Sequence, residues 1–250
     1  MTDAKTILIT GASSGLGAEM ARQFADLGYD LALCARRTER LEELRTEILS
    51  RHPERRIEIR ALDVNDHDRV FEVFHAFHAD FGHLDRIVVN AGLGKGAPVG
   101  TGMFSANKET AETNFIGGLA QTEAAVEVFR KQNAGHFVMV SSVSALRGMG
   151  RSITAYAATK AGVANLAEGV RAELLGTPIK VTVLYPGYIE SEMSVRSSKT
   201  PLMATTEDGV RSMVNVIEKE KASARVPQWP WVPLGVVLKH MPLSIARRFM

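Results

Sequence analysis

Short apolar runs alternate along the chain with longer stretches in which apolar residues recur every three or four positions. The runs 6–10, 30–35, 56–62, 86–90, 136–141 and 180–185 read as strands. Several, such as Ile87-Val88-Val89 and Phe137-Val138-Met139-Val140, are continuously apolar. Strands buried on both faces of a parallel sheet have that pattern. Between the runs, Leu16, Met20, Phe24 and Leu27 share one face of a helix, as do Tyr156, Val163, Leu166, Val170 and Leu174. Strand–helix alternation predicts βαβ units and a doubly wound α/β sheet. There is no internal repeat and no low-complexity linker, so one domain spanning 1–250 is expected. Ligands of such sheets sit at the carboxyl ends of the strands, near the point where strand order reverses.

Composition narrows the function classes. The chain is 45% apolar and 23% charged, which suffices for a core without staples. A net charge of +2 gives no argument for nucleic acid. The one cysteine, Cys34, excludes an internal disulfide and reads as a small core residue. No apolar run reaches the ~18 residues of a spanning helix. Met1-Thr2-Asp3-Ala4-Lys5 leads straight into a strand, so no signal peptide is expected and a cytoplasmic location is. His75 and His78 share a helix face without a third ligand, so no metal site is expected.

The first strand runs into Thr10-Gly11-Ala12-Ser13-Ser14-Gly15-Leu16-Gly17 and then a helix. Glycines 11, 15 and 17 let the backbone turn tightly and approach a pyrophosphate. The helix N-terminus then offers free N–H groups and a positive dipole end. The second strand ends Leu33-Cys34-Ala35-Arg36-Arg37, without the carboxylate that would bind a ribose 2′-hydroxyl. Arginine suits a 2′-phosphate, so NADP(H) is favoured. The alternative is that Arg36 and Arg37 merely begin a solvated helix.

Tyr156 and Lys160 stand four residues apart, on one face of a helix. A phenol has an ordinary pKa of about 10. A nearby ammonium would lower it enough for general acid–base work near neutrality. Ser142, at the end of a buried strand, could hold a substrate oxygen beside the phenol. Ser141 and Ser144 are weaker candidates, and hydroxyls also commonly cap such turns.

Together these residues resemble the short-chain dehydrogenase/reductase (SDR) family over about 6–193. The family's T-G-x-x-x-G-x-G matches Thr10 through Gly17, and its acidic adenine contact matches Asp63 in Leu62-Asp63-Val64. Its N-A-G matches Asn90-Ala91-Gly92, and its structural, proton-relaying asparagine matches Asn114. Its catalytic serine, Y-x-x-x-K and P-G turn match Ser142, Tyr156 with Lys160, and Pro186-Gly187. Ile189 is then placed to contact the nicotinamide carboxamide. The resemblance implies a Rossmann-type parallel sheet of about seven strands with helices on both faces. It implies a hydride transfer between NADP(H) and a ketone or secondary alcohol, in a homodimer or homotetramer. Tyr156 would be the proton donor and acceptor, Lys160 would lower its pKa and hold the nicotinamide ribose, Ser142 would polarise the carbonyl, and Asn114 would support a water chain. Two positions depart from the pattern. One extra residue falls between Ser142 and Tyr156, in the loop 144–154, and Ser191 stands where threonine is usual.

Two segments lie outside this scheme. Residues 193–207 are polar and irregular and suggest a mobile substrate lid, while the glycine-rich 94–103 suggests a border to the mouth. The tail, 226–250, contains Trp229 and Trp231, and no acidic residue follows Glu220. Its readings are an oligomer interface, a wall of a pocket for a lipophilic substrate, or peripheral membrane contact. A different functional class, a non-catalytic NADP(H) sensor or scaffold, is disfavoured by the serine and tyrosine, which a mere binder does not need.

Overall fold

Side chains of a strand point alternately to its two faces. In 6–10, Ile7 and Ile9 enter one apolar layer and Leu8 the other, and all five residues are buried. A sheet with two apolar faces requires helices on both. The structure, a computed structural model, describes residues 4–192 and 202–246. Its strands β1 (Thr6–Thr10), β2 (Asp30–Ala35), β3 (Ile57–Ala61), β4 (Arg86–Val89), β5 (His136–Val140), β6 (Lys180–Pro186) and β7 (Ser223–Val226) form one parallel sheet in the order β3-β2-β1-β4-β5-β6-β7. This is a Rossmann-type doubly wound sheet. The six strands expected from the apolar runs are present, with ends moved by one residue. β7 had no apolar run to announce it, because it is a four-residue edge strand in which only Val226 is buried.

One face is covered by α1 (Gly15–Asp26), α2 (Thr38–Arg51) and α7 (Thr206–Glu218), through residues such as Met20, Phe24, Leu41, Ile48 and Met213. The other is covered by α3 (His67–Phe81), α5 (Gly117–Gln132) and α6 (Thr154–Glu173), through Phe74, Phe77, Phe129 and Val163. Leu27 does not continue the α1 stripe. The helix stops at Asp26, and Gly28, at φ +85, turns the chain toward β2 and leaves Leu27 exposed. Cys34 is fully buried, and burial pushes its thiol pKa up, consistent with a core role.

After β3, at one edge, the chain crosses to β4 beside β1, and this reversal opens a crevice at the carboxyl ends of those two strands. Thr10 Oγ1 accepts the N–H groups of both Asn90 and Ala91 at 3.0 Å, stitching the two ends together. α4 (Phe104–Ala111) leads through a π-helical stretch, Glu112–Ile116, into α5.

The described part of the 226–250 tail is largely helical. Helix α8 (Gln228–His240) buries Trp231, and α9 (Leu243–Ala246) follows it. Arg147 Nη1 donates to the Leu238 and Met241 carbonyls at 2.8 and 2.6 Å, pinning the end of α8. Its outer side leaves Val232, Val236 and Val237 exposed, and Trp229 is exposed beside it. Residues 247–250 lie outside the described ones, as do 193–201 of the expected lid. The remainder of that segment leads into α7. Ala204 bridges to Ile189, and Thr205 Oγ1 accepts the Asp208 N–H to cap α7. Among the described residues, no helix is long and apolar enough to cross a membrane.

Candidate active site

A cleft of about 520 Å³ opens at the carboxyl edge of the sheet, from the glycine turn after β1 to the start of α6. Its floor is shaped by backbone that tolerates no side chain. Gly11 sits at φ +64, and a methyl there would approach Ala91 Cα to 2.9 Å. A methyl on Gly17 would collide with the Gly11 carbonyl, so this glycine serves the fit of α1 under the turn. Asn90 Nδ2 donates to the Thr10 and Gly11 carbonyls at 3.0 and 3.4 Å and holds the turn from β4. Ser14 precedes α1 and makes no side-chain cap, so first-turn N–H donors remain for a ligand. Gly11, Ser13, Ser14, Gly15 and Leu16 line the cleft, as do Asp63, Val64, Asn90, Ala91 and Gly92.

The two arginines after β2 differ. Arg36 is 69% exposed, with its guanidinium 3.9 Å from Asp63. Arg37 folds back over the glycine turn, donating to Ser14 Oγ at 2.7 Å and Ser13 Oγ at 3.3 Å. It also donates to Glu192 Oε2, from the segment after β6, at 3.1 Å. Sequence reasoning missed Glu192, since nothing local to it signals the approach.

At the other end, Ser142, Tyr156 and Lys160 converge. Ser141 Oγ is consumed by the Lys160 carbonyl at 2.7 Å. Ser144 is buried, and its N–H donates to Ser142 Oγ at 3.2 Å. The Ser142 hydroxyl is near enough to the Tyr156 phenol to favour its ionised form. Lys160 Nζ donates to the Val140 carbonyl at 2.9 Å and lies 5.9 Å from the Tyr156 ring centroid. Gly92 packs next to Lys160 and Asn114, since a methyl there would stand 3.4 Å from Lys160 Nζ and Asn114 Oδ1, in ordinary contact.

The electrostatics differ from expectation in this state. Burial raises the Tyr156 phenol above its ordinary pKa, and the Ser142 hydroxyl pulls the other way. The expected lowering by Lys160 is absent, because burial penalises the ammonium too and brings Lys160 down to about 8.

Asn114 lies just behind the cleft, in the π-helical stretch. Its Oδ1 accepts the Leu93 N–H at 2.6 Å, and its Nδ2 donates to the Leu93 carbonyl and to Thr159 Oγ1 at 2.9 and 3.2 Å. It thus ties the loop after β4 to α6. π-Helical insertions of this kind concentrate at functional sites.

Pro186, Gly187 and Ile189 form the far wall. Between them Tyr188 stands edge-on to Trp231, with ring centroids 5.1 Å apart, and a methyl on Gly187 would collide with the Trp231 indole. Leu93, Met149, Ile153 and Tyr188 give the mouth beside Tyr156 an apolar lining. Of the expected loop border, Gly94 and Gly96 reach the cleft. His75 and His78 lie far from it on α3, where His75 faces Glu127 at 3.5 Å. Among the described residues, no three His, Cys, Asp or Glu side chains could hold a metal ion together.

Residues 5–202 match the short chain dehydrogenase family model. An uncharacterized oxidoreductase of Mycobacterium tuberculosis is 52% identical over 97% of this chain and 96% of its own. Among solved structures, serine dehydrogenase complexed with NADP+ is 26% identical, with a TM-score of 0.79 over 89% of this chain and 94% of that one. A short chain dehydrogenase/reductase from Burkholderia phymatum in complex with NAD has a TM-score of 0.84 over 98% of this chain and 96% of that one. At 20% identity that last likeness speaks for the fold alone.

Proposed function

The chain belongs to the short chain dehydrogenase family, and on that premise we propose that this oxidoreductase is an NADP(H)-dependent carbonyl reductase or alcohol dehydrogenase with Tyr156 as its proton donor and acceptor. The observation that carries the reading is the convergence of Ser142, Tyr156 and Lys160 on the wall of one cleft that begins on a glycine turn, with the Lys160 ammonium 5.9 Å from the Tyr156 ring. A bound nicotinamide dinucleotide supplies or accepts the hydride. The chain's residues fit such a group. Gly11, Gly15 and the α1 N-terminus offer N–H donors that would hold a pyrophosphate, and Asp63 and Ile189, both on the cleft wall, would hold the adenine and the nicotinamide.

Ser142 donates to the substrate oxygen and holds it against the phenol. Tyr156 delivers its proton to that oxygen in reduction and removes it in oxidation. Lys160, held by the Val140 carbonyl at the floor of the site, would hold the nicotinamide ribose. Asn114 fixes Leu93 and Thr159, holding the floor beneath Lys160 and positioning a path for protons. Support for NADP(H) over NAD(H) comes from the absence of a carboxylate at the end of β2 and from Arg37 on the Ser13 and Ser14 hydroxyls. It also comes from the 26% identical serine dehydrogenase, solved with NADP+. The apolar lining beside Tyr156, backed by Trp231, favours a lipophilic ketone or alcohol.

The test is NADPH oxidation against small and lipophilic ketones, wild type beside Tyr156→Phe. The variant is expected to lose at least about a hundredfold in turnover while binding NADPH as wild type does. Turnover by the variant within a few-fold of wild type would refute the assignment.

A further inference from the structure

The structure places a carboxylate where a phosphate is expected. Arg37 projects over the glycine turn, with Ser13 and Ser14 hydroxyls on its guanidinium. These three side chains make a small anion seat, a fork of N–H donors flanked by two rotatable O–H donors. Its fourth member is Glu192, whose Oε2 accepts from Arg37 Nη2 at 3.1 Å. The Arg37 guanidinium holds the Glu192 carboxyl below the usual carboxylate range, and a hydrogen bond from Ser14 adds to this. The contact is long-range in sequence. It crosses the cleft from the end of β2 to the segment after β6, while Ser191 stands 3.4 Å from where a side chain on Gly15 would begin.

We propose that Glu192 is an internal competitor for the 2′-phosphate of the cofactor, and so sets the affinity difference between NADP(H) and NAD(H). This rests on the reading of Arg37 as the 2′-phosphate ligand. A phosphate on Arg37, Ser13 and Ser14 competes with Glu192 for the Arg37 Nη2 donor. Two anions on one guanidinium repel each other, so a 2′-phosphate must either displace the carboxylate or bind against its charge. A 2′-hydroxyl carries no charge and has no need to displace it. Glu192 therefore weakens binding of the phosphorylated cofactor selectively.

Calorimetric dissociation constants for NADP+ and NAD+ test this on wild type, Glu192→Gln, Arg37→Ala and the double variant. Glu192 is 57% exposed, so the glutamine substitution leaves the fold intact. Glu192→Gln is expected to bind NADP+ about three- to tenfold more tightly, the scale of one partly exposed ion pair plus relieved repulsion. Its NAD+ affinity stays within about twofold. In the Arg37→Ala background the gain disappears, because the shared guanidinium is gone. Unchanged or weaker NADP+ binding by Glu192→Gln overturns the proposal, and weakening of both cofactors would make Glu192 a strap that holds the dinucleotide. If Arg37→Ala in the Glu192→Gln background leaves NADP+ affinity unchanged, the Arg37 reading itself falls, a result distinct from any effect of Glu192→Gln alone.

Discussion

Lys160 carries the largest electrostatic penalty that the proposed site imposes on the fold, and replacing it with methionine exposes that penalty. The ammonium is 7% exposed, and burial brings its pKa from 10.5 to about 8. Each pH unit between those values corresponds to about 1.4 kcal/mol, so the charged form costs the folded state about 3 kcal/mol. Below pH 8 folded and unfolded chains both hold the proton, and the whole cost is present. Between pH 8 and 10.5 the folded chain releases its proton first, and the cost fades as pH rises. Methionine keeps the length of the side chain and removes the charge, but leaves the Val140 carbonyl without its 2.9 Å donor, a loss of about 1 kcal/mol. The variant is therefore expected to be about 2 kcal/mol more stable than wild type at pH 7, with the gap nearly closed at pH 10. Urea denaturation at both pH values measures it. A less stable variant at pH 7, or a gap that does not change with pH, would refute the reasoning. A gain in stability with loss of turnover would mark Lys160 as held for chemistry at the expense of the fold.

His136, buried in β5, has its pKa brought down to about 3 by burial and by the Arg86 charge. The unfolded chain takes up that proton first as pH falls below about 6.5. Between pH 7 and pH 5, His136→Gln should therefore lose about 2 kcal/mol less stability than wild type in urea titrations. Gly187→Ala puts a methyl into the Trp231 indole. It is expected to cost about 1–3 kcal/mol and to red-shift the tryptophan emission, since Trp231 is buried and must move while Trp229 is already exposed.

What the sequence determined by itself was local. Ile87-Val88-Val89 and Phe137-Val138-Met139-Val140 had to be doubly buried strands, because continuous apolar runs have no solvated face to offer. Gly11 and Gly15 announced a turn that favours glycine and Gly17 a close fit of α1 beneath it, and the i, i+4 spacing put Tyr156 and Lys160 on one helix face. Tertiary structure decided everything that depends on residues distant along the chain. It recruited Ser223–Val226 as an edge strand, which no apolar run marked, because an adjacent strand offered hydrogen bonds. It gave the Ser141 hydroxyl to the Lys160 carbonyl, which leaves Ser142 and Ser144 on the cleft wall. It turned the expected tail into a helix that sets Trp231 behind Tyr188, and set Glu192 on Arg37 from 155 residues away. The sign of the Tyr156 shift was decided there too, because spacing reports that two groups are near, while only packing reports how much water either has lost.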